Sequence, residues 1–226
     1  MNTYTLKSDQ LSVVILGSFN PAIYHPEWFA RHDLISQPES EEASLEVCHP
    51  DITKFSTSWF ELEVTQTRFL VTSNTTSRSE ELRDLVLNVF AILCETPMVA
   101  IGINSTFEYS CSSVDAWHKV GHLLAPKNIW LSPFPNLIEQ EVGMRSVEIE
   151  YPRQDGLPGF YRVSVTPTKP VPSPCFAFKV NSHVELGEIK NTTVTKLLSE
   201  KWEEIVGLSC VIVKEVLRGI DDQGDE

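Results

Sequence analysis

Two histidines one helical turn apart are the residues whose types and spacing come closest to a metal site. His118 and His122 are four positions apart, so on a helix both imidazoles could bind one ion. The corresponding zinc-protease motif has glutamate directly after the first histidine, where this chain has Lys119. No third ligand is close in sequence, although His183 or a carboxylate could approach in space. We therefore favour a structural or surface role for the pair over a metal site.

A second candidate follows the first apolar run, residues 11–16, where Gly17-Ser18-Phe19-Asn20-Pro21 leaves a predicted strand. The segment resembles the opening of the nucleotidyltransferase signature, in which two histidines stand at the second and fifth positions after the proline. These histidines hold the triphosphate and stabilise the charge that develops during transfer. Here the two positions are Ile23 and Pro26, so a tight turn is favoured over a nucleotide site. Three candidate ligand-binding residues are kept from this region: Ser18, Asn20 and His25.

The remaining sequence lacks the patterns that most enzyme classes require. It has no phosphate-binding loop, nucleophile elbow, Cys-x-x-Cys pair or dinucleotide-binding glycine motif, and we predict no cofactor. Cys48 and His49 are adjacent, but sequence neighbours rarely reach the geometry of a nucleophile and its base. The five cysteines are odd in number and widely spaced, which indicates reduced thiols rather than a disulfide framework. These features favour a non-enzymatic protein.

Net charge limits the classes of partner. The 31 acidic and 18 basic residues give a formal charge of −13, a field that repels the phosphates of nucleic acids and anionic membranes. No apolar stretch approaches the roughly 18 residues of a membrane span, and the first residues lack the pattern of a signal peptide. We therefore expect a cytoplasmic protein without direct nucleic-acid or membrane binding, whose partner is another protein or a second copy of itself.

Apolar periodicity predicts the elements. It indicates a hairpin over 59–72, a long strand over 99–109 and three further strands over 147–180. Helices are predicted over 25–35, 82–93, 112–125 and from about 195, where Gly207 could bend or divide the last one. Residues 36–51 are polar and acidic, and we expect a mobile loop there.

This order predicts an α+β protein in which mostly antiparallel sheet, in one or two pieces, is covered by helices. We expect a single compact unit over 1–220, followed by an acidic tail at 221–226. The alternative is two sheet-and-helix halves that meet near 130–143, where two prolines interrupt the pattern. On the hairpin, three residues share a predicted polar face and are candidate protein contacts: Trp59, Glu61 and Glu63.

The central and C-terminal pattern resembles a sporadically distributed family of uncharacterised bacterial proteins. The matching stretches are 60–65 (FELEVT), 82–85 (LRDL), 96–104 (TPMVAIGIN), 116–127 and 181–186 (NSHVEL) before a long final helix. The likeness covers about residues 59–217 and rests on overall pattern. It implies a bacterial setting and a variable, accessory gene, and it supplies no activity or catalytic residue.

These observations lead to one expected function and one alternative. We expect a non-enzymatic, acidic protein-interaction module that serves in a bacterial accessory, defence or toxin-control complex. The alternative is an enzyme that binds a small ligand or nucleotide in a pocket between sheet and helices.

Overall fold

The computed structural model describes residues 3–131, 133, 136–137, 142–168, 174–187 and 192–223, and only the backbone of 192 and 193. One antiparallel sheet of nine strands dominates it. The strands are β1 (Tyr4–Gly17), β2 (Ser44–His49), β3 (Ile52–Ser56), β4 (Phe60–Thr65), β5 (Arg68–Ser73), β6 (Met98–Cys111), β7 (Val147–Pro152), β8 (Gly159–Thr168) and β9 (Cys175–Glu185). Their order across the sheet is β2-β3-β4-β5-β1-β6-β9-β8-β7.

Alternating side chains give the sheet one apolar face. In β1, Leu11, Val13 and Ile15 are fully buried, while Ser12 and Val14 between them are half-buried. The same alternation runs through β4, β5, β8 and β9. Because side chains alternate between the faces of a strand, all these apolar residues lie on one face, which the helices cover. We call the other side the open face.

Six α-helices lie within the described residues: α1 (Pro26–Arg31), α2 (Gln37–Glu42), α3 (Ser79–Ile92), α4 (Val114–Leu124), α5 (Asn128–Leu131) and α6 (Thr192–Asp222). The side chain of Ser113 caps α4 by accepting a hydrogen bond from Ala116 N (3.1 Å). In α3, Leu82, Val86 and Val89 face the sheet and are fully buried. Their spacing is that of one helix face, which confirms the helix predicted over 82–93.

Two apolar clusters fill the covered face. The larger one joins β1, β4, β5 and β6 to α3 and to the first half of α6, where Trp202 is fully buried. The smaller one joins β6, β8 and β9 to α4 and to the second half of α6. The 31-residue helix α6 therefore packs against both clusters.

The α+β class, the antiparallel sheet and the single compact unit are confirmed. The structure does not divide into two halves at 130–143, because β6 and β9, from the two sides of that stretch, pair in the same sheet. Several residues of the stretch lie outside the described residues. Of the predicted acidic tail, Asp221 and Asp222 form the last turn of α6, and 224–226 lie outside the described residues.

One local prediction is wrong, and one alternative that the sequence left open, division of the last helix at Gly207, does not occur. The expected loop at 36–51 contains α2 and β2, because Ser36 caps the helix by accepting a hydrogen bond from Glu39 N (3.3 Å) and β2 pairs with β3. Helix α6 runs without a break through Gly207. One glycine costs a helix only about 1 kcal/mol, less than the apolar burial on either side of it provides.

No helix within the described residues is long and apolar enough to cross a membrane.

The pairing of β8 with β9 requires a glycine at its start. Gly159 has a φ of 130°, and a Cβ atom there would lie 2.2 Å from the carbonyl oxygen of His183. We expect Gly159→Ala to lower the free energy of unfolding by at least about 2 kcal/mol, because both the backbone angle and the contact become unfavourable. Urea denaturation measures the change.

The matched control is Gly207→Ala. A Cβ atom there meets nothing within 4 Å, and alanine favours a helix, so this variant should be as stable as the parent or more stable. Equal stability of Gly159→Ala and the parent would contradict the close approach of β8 and β9.

Candidate functional site

One end of the sheet presents an apolar surface that the helices do not cover. In β7, Ile149 is 48% exposed and Tyr151 is 44% exposed. Their register partners in β8, Val163 and Tyr161, are buried on the helix-covered face. The apolar face of the sheet therefore continues one strand beyond the core that the helices cover.

A groove lies between this strand and α6. It has a volume of about 520 Å³, within the range of protein ligand sites. We call it the β7 groove. Its apolar lining consists of Tyr151, Pro152, Tyr161, Leu208, Ile212 and Val216, and its polar lining of Gln154, Asp155, Glu204 and Glu215.

The opposite face of β7 is acidic. Glu148 and Glu150 both pair with Arg162 on the neighbouring strand, at 3.6 Å and 2.7 Å. One guanidinium thus serves two carboxylates, which leaves an excess of one negative charge. Edge strands with charged residues on one face are less prone to pair indiscriminately.

A buried ion pair fixes the turn after β7. The side chains of Arg153 and Asp155 are only 1% and 7% exposed. Arg153 Nε donates a hydrogen bond to Asp155 Oδ1 (3.0 Å), and its Nη1 donates to Ser182 Oγ (2.8 Å) in β9. The guanidinium also lies over the ring of Tyr161, 4.3 Å from the centroid. Arg153 thereby ties the β7 end of the sheet to two inner strands.

The ionisation of Asp155 follows from these contacts. The hydrogen bond from Arg153 holds the pKa of Asp155 below its ordinary value, against the opposing effect of burial. Because the pKa is lower in the folded state, the stabilisation is complete above the unfolded value, about 3.9. It is lost as the pH falls through the folded value.

The open face holds a second depression, of about 500 Å³. It lies over the centre of the sheet, where one row of register partners runs Ser12, Asn104, Asn181 and Arg162 across four strands. Asn104 is 7% exposed. The rest of the lining is mixed: Val14, Leu16 and Leu70 are apolar, whereas Arg68 and Lys179 are basic.

Two amide side chains converge over Gly102 in this depression. A Cβ atom at residue 102 would lie 3.2 Å from Asn181 Oδ1 and 3.7 Å from Asn104 Nδ2. Asn181 Oδ1 is buried and has no hydrogen-bond partner among the described residues. Such an acceptor costs about 1–3 kcal/mol when it stays unsatisfied. The pair offers a donor and an acceptor to any group that enters.

His183 forms one side of the depression. Its ring stacks on that of Phe160, with centroids 4.6 Å apart. Burial lowers the pKa of His183, so its imidazole is mostly neutral at pH 7.

The predicted histidine pair is adjacent in space but makes no complete metal site. The ring centroids of His118 and His122 are 6.3 Å apart on α4. His183 lies on the other face of the sheet and cannot join them. Within the described part of the chain, no three His, Cys, Asp or Glu side chains are grouped so that they could hold a metal ion.

The candidate ligand residues after β1 are only partly brought together. Ser18 and Asn20 line a shallow depression of about 340 Å³ with Tyr24 and Thr96, whereas His25 precedes α1 and is not part of that lining. Ser18 N donates a hydrogen bond to Pro97 O (2.9 Å). This contact ties the turn to the start of β6.

The three predicted contact residues of the hairpin are engaged within the chain. Trp59 is half-buried, and its Nε1 donates a hydrogen bond to Glu39 Oε1 (2.7 Å). Glu61 pairs with Lys54 at 2.8 Å, and Glu63 pairs with Arg68. Both carboxylates lie on the open face of β4, as the alternation predicted.

Sequence reasoning did not single out either depression as a site. The alternation of Val147, Ile149 and Tyr151 was visible, but a pattern gives no sign of where the covering helix ends. Asn104 and Asn181 are far apart in sequence, and only the register of β6 with β9 makes them neighbours.

Comparison with known proteins adds no relative: no protein-family model matches the chain, and no curated protein matches it.

The buried ion pair yields a stability prediction. We expect Arg153→Met to lower the free energy of unfolding by about 3–5 kcal/mol at pH 7, because Asp155 then stays buried without its partner. Arg162→Met is the control, since its pairs with Glu148 and Glu150 are exposed and worth at most about 1 kcal/mol. Thermal and urea unfolding of both variants test this, and equal losses would contradict the structural role of Arg153.

Proposed function

We propose that this chain is a non-enzymatic protein-interaction module that binds another protein through the β7 groove. The observation that carries the proposal is the exposure of Ile149 and Tyr151 on the continuation of the apolar face. Apolar surface of this kind, bordered by polar residues, is typical of a binding site for protein.

The composition of the groove supports this use. Tyrosine is among the residues that contribute most to protein interfaces, and Tyr151 lines the groove together with the aliphatic residues Leu208, Ile212 and Val216 of α6. Glu204 and Glu215 stand at the border of the groove. An apolar centre with a charged rim is the usual anatomy of an interface.

Charge and exposed thiols bear on the class of partner and on the compartment in which the chain acts. The net charge of −13 opposes phosphate binding, so the partner is a protein rather than a nucleic acid. Cys48 and Cys94 are free and exposed, which suits a reducing compartment such as the cytoplasm. The sequence resemblance implies a bacterial setting and a variable, accessory gene, and within that setting we propose a role in an accessory, defence or toxin-control complex.

The test is an affinity pull-down of the tagged protein from its native host, read by quantitative mass spectrometry. We expect one protein to be retained stoichiometrically by the parent and to bind Tyr151→Lys at least about thirtyfold more weakly, because an aromatic anchor contributes about 2 kcal/mol or more. Leu45→Lys is the control, an exposed apolar residue at the opposite end of the sheet. A preparation that contains only this chain would contradict the proposal.

A second candidate function rests on the open-face depression. The convergence of Asn104 Nδ2 and Asn181 Oδ1 over Gly102 favours a small ligand that both donates and accepts hydrogen bonds. Such a ligand would satisfy the buried acceptor of Asn181. This site differs from the expected pocket between sheet and helices, because it lies on the uncovered side.

Thermal unfolding against a panel of nucleotides and metabolites tests this second candidate. A ligand present at about 100 times its Kd should stabilise the parent by about 2.7 kcal/mol and Gly102→Ala much less, because the new methyl group would crowd Asn181. Gly143→Ala is the control, since a Cβ atom there meets nothing within 4 Å. A flat response of the parent would remove this candidate.

A further inference from the structure

We propose that the partner contributes an extended segment that pairs with β7 as a tenth strand and carries apolar and basic residues in alternation. This inference rests on the proposed function and states how the partner is recognised. Addition of a strand to a free sheet edge is a common way for one protein to bind another.

The two edges of the sheet differ in how well they could accept another strand. β7 and β2 are the end strands, and no described residue pairs with the outer edge of β7. The ladder between β2 and β3 has a register shift between Leu45 and Val47, and such bulges blunt an edge against further pairing. The ladder between β7 and β8 is regular over its whole length. β7 is therefore the edge suited to accept a strand.

The side of β7 that faces α6 is apolar. Val147, Ile149 and Tyr151 all point to this side, since their register partners belong to the covered face. A strand added beside β7 would place every second side chain over the β7 groove. Apolar residues at those positions would bury Ile149 and Tyr151, and the removal of apolar surface from water favours association.

The open side of β7 carries an excess of negative charge. On the open side of the same strand, Glu148 and Glu150 share Arg162. A lysine or arginine directly opposite either carboxylate in the added strand would supply the missing positive charge, and opposite charges on facing positions stabilise a strand pair. The intervening residues of the partner are therefore basic.

The same charges argue against a second copy of this chain. A two-fold pairing of β7 with itself centred on Ile149 would set Glu148 of one copy opposite Glu150 of the other. Like charges on directly opposing positions destabilise a sheet, and each copy carries a net charge of −13. The complementary strand is thus foreign to this chain.

A synthetic peptide of alternating lysine and valine, acetylated and amidated, tests the inference with the full-length protein. We expect saturable binding by calorimetry and slowed hydrogen exchange at alternate backbone amides of residues 147–151. Alternation of the protected amides distinguishes strand pairing from attachment to the surface, because every second amide of an edge strand points outward. A peptide of the same composition with the lysines and valines in two blocks should not protect them.

Two charge variants provide the control for non-specific attraction. We expect the double substitution Glu148→Gln and Glu150→Gln to weaken binding of the alternating peptide about tenfold, because both carboxylates that would face its lysines are lost. The double substitution Glu80→Gln and Glu81→Gln, on α3, changes the net charge equally and should leave the affinity within about twofold.

The inference would be overturned if the alternating peptide did not bind at about 1 mM, or if the control peptide with lysines and valines in two blocks bound equally well. Equal effects of the two charge variants would also overturn it, as would self-association of the chain through β7 in analytical ultracentrifugation. A protein partner retained by the parent and lost with Tyr151→Lys, without protection of β7 amides, would overturn strand pairing and keep the proposed function. A pull-down without any partner would instead overturn the proposed function itself.

Discussion

The pairing of β1 with β6 is the constraint on which the rest of the structure depends. Each strand has 14 residues, and the two pair side by side along almost their whole length. Leu11, Val13 and Ile15 from β1 lie beside Ile101 and Ile103 from β6 in the larger apolar cluster. Since all of them lie on one face, both long helices must pack there. The open face and the position of the outer strands follow from that single choice.

Much of the fold could be predicted from local pattern. The alternation in β4, β5, β8 and β9 and the helical spacing in α3 are determined by contacts within each element, so short windows of sequence carry them. The structure of 36–51 was only partly predictable. The pattern Ser36-x-x-Glu39 is a local capping signal for α2, whereas β2 forms through pairing with β3, which the composition of the segment does not show.

The candidate site was far less predictable than the fold. Arg153 and Asp155 are two residues apart in a turn, a pattern that suggests an exposed pair, yet the fold buries both against Ser182 and Tyr161. The β7 groove depends on where α6 passes relative to the last strand. That distance is set by the packing of the whole covered face. The histidine pair on α4 was prominent in sequence because its spacing is local, and the structure gives it no third ligand within the described residues.

The continuity of α6 has a consequence for how the molecule unfolds. At about 1.5 Å per residue, its 31 residues extend about 46 Å. The helix contributes Leu198 to the larger cluster and Leu217 to the smaller one. Neither cluster can lose its packing without exposing part of the same rigid rod. We therefore expect the two clusters to unfold together as one cooperative unit. Binding of a protein to the middle of α6 would slow the unfolding of both.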